Sequence, residues 1–435
     1  MLSAISSAIH WRLGKASKGK DKQKFANHIF EAVKDKPHQD AKLRRAVGLL
    51  VDEKMYGHAL DLCDRKLAGD TSGFWTHYRT FVEELARAKS SNGNFKLALF
   101  NDTDFRVNIG CRLTSQGLKD KIRKIFPEAA ITSLGFRFSA FREDFAISIA
   151  VKNPDQDELK NRLRVGYGDN ALGTIMESSF VVLQPEGSLD PKTTMEGLAT
   201  FFTPALLAQQ IGIPYAVLNG TIPIYSDERD VYLRMLFETL KFVAARDEIS
   251  ASHHNVRFLP DAAFLRIPPS QASERDGCLI TTGARNDAAD DITIFKAAID
   301  ACDTLSLRPI VLTHAVDRLA EFERDIVARG GIFAETASIE KAAETLSRCC
   351  LHIGGRFHMA IFSILCHVPT LLFDVKTHKN QWLAQYSPLV RLVKPGSDLN
   401  VEARTFLDEA PDQSSPRVAG YEEFLAAAYS AKALR

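Results

Sequence analysis

Cys350-Leu351-His352-Ile353-Gly354-Gly355-Arg356-Phe357-His358 reads as an apolar strand, a Gly-Gly turn and the opening of a helix rich in Ala, Ile and Leu. Strand, turn and helix in that order are half of a βαβ unit, and the same grammar continues on both sides. Strand-like runs at Cys278 to Thr282 and Pro309 to Thr313 precede it, and Thr370 to Phe373 follows it. Helical patterns lie between them at Asp291 to Ala301, Leu319 to Ala328, Ile339 to Leu346 and Phe357 to Leu365. A parallel sheet with helices on its faces is the prediction for residues 269–435.

A similar series comes earlier in the chain. Strands are predicted at Phe95 to Phe100, Phe145 to Val151, Phe180 to Gln184, Tyr215 to Leu218 and Phe242 to Ala245. Gly117 to Ile125, Leu198 to Ile211 and Val231 to Leu240 supply helical patterns between several of them. Pro268-Pro269-Ser270 suits a connection between two α/β domains, 94–268 and 269–435. Residues 1–93 have no strand-like alternation; Leu43, Val47, Leu50 and Val51, then Ala59, Leu60, Leu62 and Leu67, fall at helical spacing. They read as a helical appendage, with Ser90-Ser91-Asn92-Gly93-Asn94 as a linker.

With 435 residues, 45% of them apolar and 25% charged, the composition is that of a water-soluble chain with more than one core. The 55 Lys and Arg against 54 Asp and Glu give a net charge of +1, too little for a global field toward nucleic acid. Any anion site must be a local cluster. Lys15, Lys18, Lys20, Lys22 and Lys24 form a basic run that suits a solvated face or anionic lipid head groups. The seven cysteines show no C-x-x-C pair and no zinc spacing, as expected of reduced thiols in a cytosol. The segment MLSAISSAIHWRLGK places its charge after the apolar stretch, unlike a cleaved signal, and no apolar run is long enough to span a bilayer. A cytoplasmic protein is expected, with peripheral association at the inner membrane face left open and oligomeric state unassigned.

In open α/β sheets ligands bind beyond the carboxyl ends of the strands, so residues just after strands are the candidates. Arg356 and His358 fall at a helix N-terminus, where free N–H groups and the helix dipole favour an anion. Gly354 and Gly355 would let the backbone approach it; an interdomain salt bridge and a capping histidine are the plain alternative. Arg246 follows the run ending at Ala245, and capping of the next helix by Asp247 or Ser250 would leave it facing the cleft. A surface pair of Arg246 with Asp247 or Glu248 is the alternative there. Lys376 and Lys379 follow a strand and can reach the same anion. Glu186, in Gln184-Pro185-Glu186-Gly187-Ser188, is a candidate base or a helix cap. Asp102 and Asp104 stand after the first strand in a phosphate-loop-like context without a G-x-G-x-x-G pattern. His253 and His254 read as a surface turn, and Asp290-Asp291 as a helix N-terminal acidic pair. With no H-E-x-x-H and no G-x-S-x-G, neither a required metal nor a serine triad is predicted.

Taken in order, these segments resemble the polysaccharide pyruvyl transferase family over roughly Phe95 to Gln385. The resemblance rests on Asn101-Asp102-Thr103 with Asn108-Ile109-Gly110-Cys111-Arg112, then Leu183 to Gly187, and Ala245-Arg246-Asp247-x-x-Ser250. Leu259-Pro260-Asp261-Ala262-Ala263-Phe264, Gly355-Arg356-Phe357-His358 and Pro369-Thr370-Leu371 through Lys376 and Lys379 complete it. It implies two Rossmann-like domains facing a cleft, similar to the glycosyltransferase type B arrangement. It also implies phosphoenolpyruvate as donor, no further cofactor, and a sugar or glycan acceptor that ends as a pyruvate ketal. Arg246, Arg356 and His358 match the family's donor-binding arginines and histidine. Phe357 stands where leucine is usual, and Cys111 where an aspartate is usual, so that aspartate's role would pass to Asp102 or Asp104. In the chemistry expected from the resemblance, His358 protonates the enol methylene, and Glu186 or an early aspartate takes the hydroxyl proton. A nucleotide-sugar glycosyltransferase and a non-catalytic glycan-binding relative are the competing readings.

Overall fold

The computed structural model describes residues 21–431 apart from 34–39, 53–54, 68–74, 77–78, 81, 84–85, 87–94, 107, 138–154, 267–274, 284–287, 314–321, 336–337, 376, 395–396, 410 and 412–417. The expected strand at Phe145 to Val151, both predicted linkers and the start of the basic run lie outside the described residues. Three amphipathic helices, α1 (Lys22–Val33), α2 (Asp40–Asp52) and α3 (Tyr56–Leu67), come first. Phe25, Ile29, Leu43, Val47, Leu50 and Leu62 close a small core of their own.

The first sheet contains β1 (Phe95–Phe100), β2 (Ala129–Leu134), β3 (Phe180–Leu183) and β4 (Tyr215–Val217), all parallel in the order β2-β1-β3-β4. Alternate residues face opposite layers. Ala98, Phe100, Val181, Leu183 and Val217 pack into one core, and Leu97, Leu99, Phe180, Val182 and Ala216 into the other. Burial on both faces explains why these strands read as continuous apolar runs. The flanking helices are α4 (Ile109–Ile125), α5 (Gln156–Tyr167), α6 (Ala171–Met176), α7 (Met195–Gln210), α8 (Glu228–Thr239) and α9 (Glu248–His254). A Val217 to Val243 bridge extends the sheet toward a short parallel pair, β5 (Ala244–Ala245) and β6 (Arg257–Phe258). Helix α4 begins well before the predicted Gly117, because Asn108 caps it by accepting the Gly110 N–H at 2.9 Å.

The second sheet contains β7 (Gly277–Gly283), β8 (Arg308–Thr313), β9 (Ile332–Glu335), β10 (Cys349–Gly355), β11 (Thr370–Phe373) and β12 (Val390–Val393). Its order, β12-β11-β10-β7-β8-β9, is that of a doubly wound Rossmann sheet, with the reversal between β7 and β10. Its helices are α10 (Ala288–Thr304), α11 (Glu323–Ala328), α12 (Ile339–Ser347), α13 (Phe357–Leu365), α14 (Lys379–Tyr386) and α15 (Leu399–Asp408).

Three sequence expectations need correction. Gly354 and Gly355 are not a turn: they end β10, and a Cβ on Gly354 would collide with Thr281 Oγ1 on the neighbouring strand. The glycine serves strand packing rather than an anion. His253 and His254 end helix α9 instead of lying on a surface turn, and His254 is buried. Finally, the last helix, α16 (Tyr421–Ser430), leaves the second half of the molecule and packs Tyr421, Phe424 and Leu425 against the first sheet.

Candidate active site

The site forms where the carboxyl ends of the two sheets meet. In the first sheet the residues just beyond three strands, Asn101 (φ 56°), Glu186 (φ 48°) and Asn219 (φ 66°), all adopt left-handed backbone. This conformation costs a non-glycine residue about 1–2 kcal/mol, so something must hold it. Asn101 Nδ2 donates to Gln184 O at 2.6 Å and Ser188 Oγ at 2.9 Å. Asn219 Nδ2 donates to Gln184 Oε1 at 3.0 Å, while its Oδ1 accepts the Ala262 N–H at 2.8 Å. Glu186 is fixed by its own backbone, which pairs with Asn219 O and Thr221 N at 3.0 and 3.1 Å.

Arg246 crosses this framework, fully buried. Its Nε donates to Thr221 Oγ1 at 3.0 Å and its Nη1 to Asp261 Oδ2 at 2.7 Å. The partner is thus Asp261, fifteen residues on, and neither Glu248 nor Asp247, which is itself fully buried. Asp261 also accepts from Thr114 Oγ1 at 2.7 Å and the Ala263 N–H at 2.8 Å. Burial works to raise its pKa, but Arg246 and then His358 outweigh it and hold the carboxyl well below the ordinary range. Arg246 Nη2 is buried and has no hydrogen-bond partner among the described residues. Such an orphan donor costs about 1–3 kcal/mol unless a ligand completes it.

His358 joins the halves. Its Nε2 lies 2.9 Å from Arg246 Nη1 and 3.3 Å from Asp261 Oδ2, and its Nδ1 lies 3.6 Å from Glu186 Oε1. Because a guanidinium only donates, a neutral His358 accepts at Nε2 and presents Nδ1–H to Glu186; a protonated ring would turn Nε2–H to Asp261. Helix α4 packs directly beneath, and a Cβ on Gly110 would sit 2.6 Å from His358 Cβ. Burial raises the Glu186 pKa, but His358, Arg246 and Arg106 bring it net below the usual value, so the group is a carboxylate. Arg106 Nη1 stands 3.7 Å from its Oε2. Phe357 is buried with the Arg246 guanidinium 4.7 Å and the Lys379 ammonium 5.7 Å from its ring centre.

Arg356 occupies the N-cap position of α13, half-buried. Its Nε and Nη2 donate to Thr282 Oγ1 at 3.0 and 2.9 Å, which puts the guanidinium at the β7/β10 reversal, where Rossmann sheets bind ligands. Lys376 lies outside the described residues. The carboxylates of Asp102 and Asp104 both face Lys119, and Asp102 also accepts from Ser133 Oγ at 2.5 Å. They form a buried ion cluster with Lys119 in the first domain. Cys111, where the resemblance implies an aspartate, is buried with its thiol pushed up to about 12, chiefly by desolvation and then by Glu186. It cannot do a carboxylate's work.

Asp261 and Arg106 escaped the sequence reading. Nothing local in Leu259-Pro260-Asp261-Ala262 shows that a carboxylate which caps its own turn also faces Arg246 across the fold. Arg106 sits in a loop with no pattern to flag it. Elsewhere, Asp230, His253 and His254 bring possible ligand atoms within 4.8 Å of one another. Arg234 already sits on that group, with Nε 3.0 Å from Asp230 and Nη2 3.3 Å from His253. Among the described residues no helix is long and apolar enough to cross a membrane.

Two Rossmann-like domains that meet over such a crevice define the class: an α/β protein of glycosyltransferase type B-like fold with an N-terminal helical region. A Listeria monocytogenes structure assigned as a UDP-N-acetylglucosamine 2-epimerase matches with a TM-score of 0.52 at 13% identity, covering 78% of this chain and 97% of that one. MnaA of S. aureus with UDP matches with a TM-score of 0.50 at 13% identity, covering 75% of this chain and 93% of that one. At such identity the likeness is one of fold. The family model for polysaccharide pyruvyl transferase matches residues 108–377, well over half of the chain. The protein belongs to that family, a family of transferases. No curated protein matches it in sequence.

Proposed function

We propose that the protein transfers the enolpyruvyl group of phosphoenolpyruvate to two hydroxyls of a sugar, in a polysaccharide or its lipid-linked precursor, to close a pyruvate ketal. One observation carries this reading: a buried guanidinium in the interdomain crevice with a donor, Arg246 Nη2, that has no partner among the described residues. Phosphoenolpyruvate brings a carboxylate and a phosphate on three carbons, and such a polyanion needs cations fixed in advance. Arg246 and Arg356 grip its two acid groups in this scheme, with Lys379, and Lys376 if it joins them, as mobile charges. Phe357 backs the small apolar methylene.

The reaction then follows from proton positions. His358, protonated, gives its proton to the methylene carbon, and the adjacent carbon becomes an oxocarbenium ion. A sugar oxygen bonds to that carbon while its proton passes to Glu186. The second hydroxyl bonds to the same carbon as the bond to phosphate breaks; Glu186 hands the proton it took to the departing phosphate oxygen, and the second hydroxyl's proton returns to His358. The balance is phosphoenolpyruvate plus diol to ketal plus phosphate, with no metal or further cofactor needed.

A second reading, transfer from a nucleotide sugar, draws on the UDP complex of the S. aureus neighbour. Incubation with radiolabelled phosphoenolpyruvate and, separately, with nucleotide sugars over a panel of glycans distinguishes them. The proposal expects label in the glycan and phosphate release from the first alone; sugar transfer from the second would replace it.

A further inference from the structure

The Asp247-x-x-Ser250 pair has no part in the chemistry above, yet it makes a contact between the domains. His378, the residue before α14 in the second domain, places Nε2 3.0 Å from Asp247 Oδ1 and 2.9 Å from Ser250 Oγ. Asp247 is fully buried, caps α9 by accepting the Ser250 N–H at 2.7 Å, and accepts from Ser250 Oγ at 2.9 Å. A Ser-His-Asp relay is ruled out, since one nitrogen faces both partners. Ser250 Oγ is also fixed at the backbone of Ile222, 3.0 Å from its O and 3.1 Å from its N.

The neighbours of this contact give it a purpose. Arg246 immediately precedes Asp247, and Lys379 immediately follows His378. Asn380 Nδ2 then donates to Gly355 O at 3.1 Å and Phe373 O at 2.7 Å, anchoring the same turn to the residue before Arg356. A short route runs from Arg246 through Asp247, His378 and Asn380 to Arg356. Burial works to raise the Asp247 pKa, but the His378 hydrogen bond and charge bring it net below its usual value, so a carboxylate faces the imidazole.

We infer that His378 is a positioning residue: by donating Nε2–H to Asp247 it locks the arginine of the first domain and the cations of the second at one spacing for the donor. This rests on the proposed phosphoenolpyruvate site, so two readouts are needed. Loss of one hydrogen bond to a charged group is expected to raise the KM for phosphoenolpyruvate by about tenfold in His378→Ala, with kcat little changed. His378→Gln, which keeps an N–H donor, should recover most of that loss. Independently of any substrate, amide hydrogen exchange in the peptide holding Ser250 and Ala251 should be faster in His378→Ala than in the wild type, and restored in His378→Gln. Unchanged exchange in His378→Ala overturns the lock itself. Faster exchange with an unchanged KM, or with kcat lost at constant KM, overturns its positioning role. A wild-type enzyme that does not turn over phosphoenolpyruvate sinks the proposed function and leaves the exchange result to judge the lock.

Discussion

At the scale of single residues, Arg246 links the two domains and carries the most specific forecast. Removing it strands Asp261 as an unpaired buried charge, a change worth about 3–5 kcal/mol of stability. Arg246→Lys keeps a charge but cannot supply both a bond to Asp261 and the buried Nη2 donor that has no partner among the described residues. Arg246→Lys is expected to weaken phosphoenolpyruvate binding by at least about tenfold while its melting temperature falls far less than that of Arg246→Ala, measured by calorimetry and thermal unfolding. Titrating groups set a pH window. Burial lowers His254 to about 4 and His352 to about 3 from an ordinary 6.5, so both are neutral in the folded protein. Because folding depresses these values, their contribution is complete above pH 6.5 and is lost as pH falls toward the folded values, at about 1.4 kcal/mol per unit and per group. The depressed carboxyls of Asp261 and Glu186 act in the same direction, but only below about pH 4. The melting temperature should therefore already fall between pH 7 and pH 5, and less so in His352→Gln. A flat profile over that range in the wild type would contradict the burial argument. His358, Arg246 and Glu186 were legible in the sequence because each follows an apolar run. Asp261 was not, since its meaning depends on a partner reached only through tertiary packing.

At the scale of elements, the first turn of α4 supports the imidazole. A methyl on Gly110 would meet His358 Cβ at 2.6 Å, and a shift of about 1 Å in a reacting group can cost on the order of a hundredfold in rate. Gly110→Ala is expected to lose about that much kcat/KM with a modest change in melting temperature. Gly173 in α6 is the contrast: nothing lies within 4 Å of an added methyl, so Gly173→Ala should keep full activity and gain about 0.4–1 kcal/mol. Wild-type kcat/KM in Gly110→Ala would show that His358 position does not matter. The same scale explains which strands the sequence hid. Apart from the two-residue β6, the strands missing from the sequence reading are β2, β9 and β12, and all three are sheet edges. Ala129–Leu134 and Val390–Val393 are only partly buried, so they lack the unbroken apolar run by which the central strands were recognised.

For the whole molecule, each sheet reverses its strand order at the crevice. In the first sheet the reversal lies between β1 and β3, which lead into Asn101 and Glu186; in the second it lies between β7, whose carboxyl end carries Thr282, and β10, which leads into Arg356. Two doubly wound sheets with their reversal points facing each other concentrate ligand groups in one place. That architecture could be read from the alternation of strands and helices. The return of α16 could not, because a helix shows which face is apolar but not which sheet will cover it. Its Tyr421 donates to Pro260 O at 2.7 Å, so the chain end supports the loop that presents Asp261. The most direct test is a crystal structure of the full chain soaked with phosphoenolpyruvate. The account predicts the donor in the interdomain crevice with one acid group on Arg246 Nη2 and the other on Arg356. Phosphoenolpyruvate bound elsewhere, or not at all, with Arg246 still paired only to Asp261, Thr221 and His358, would contradict it.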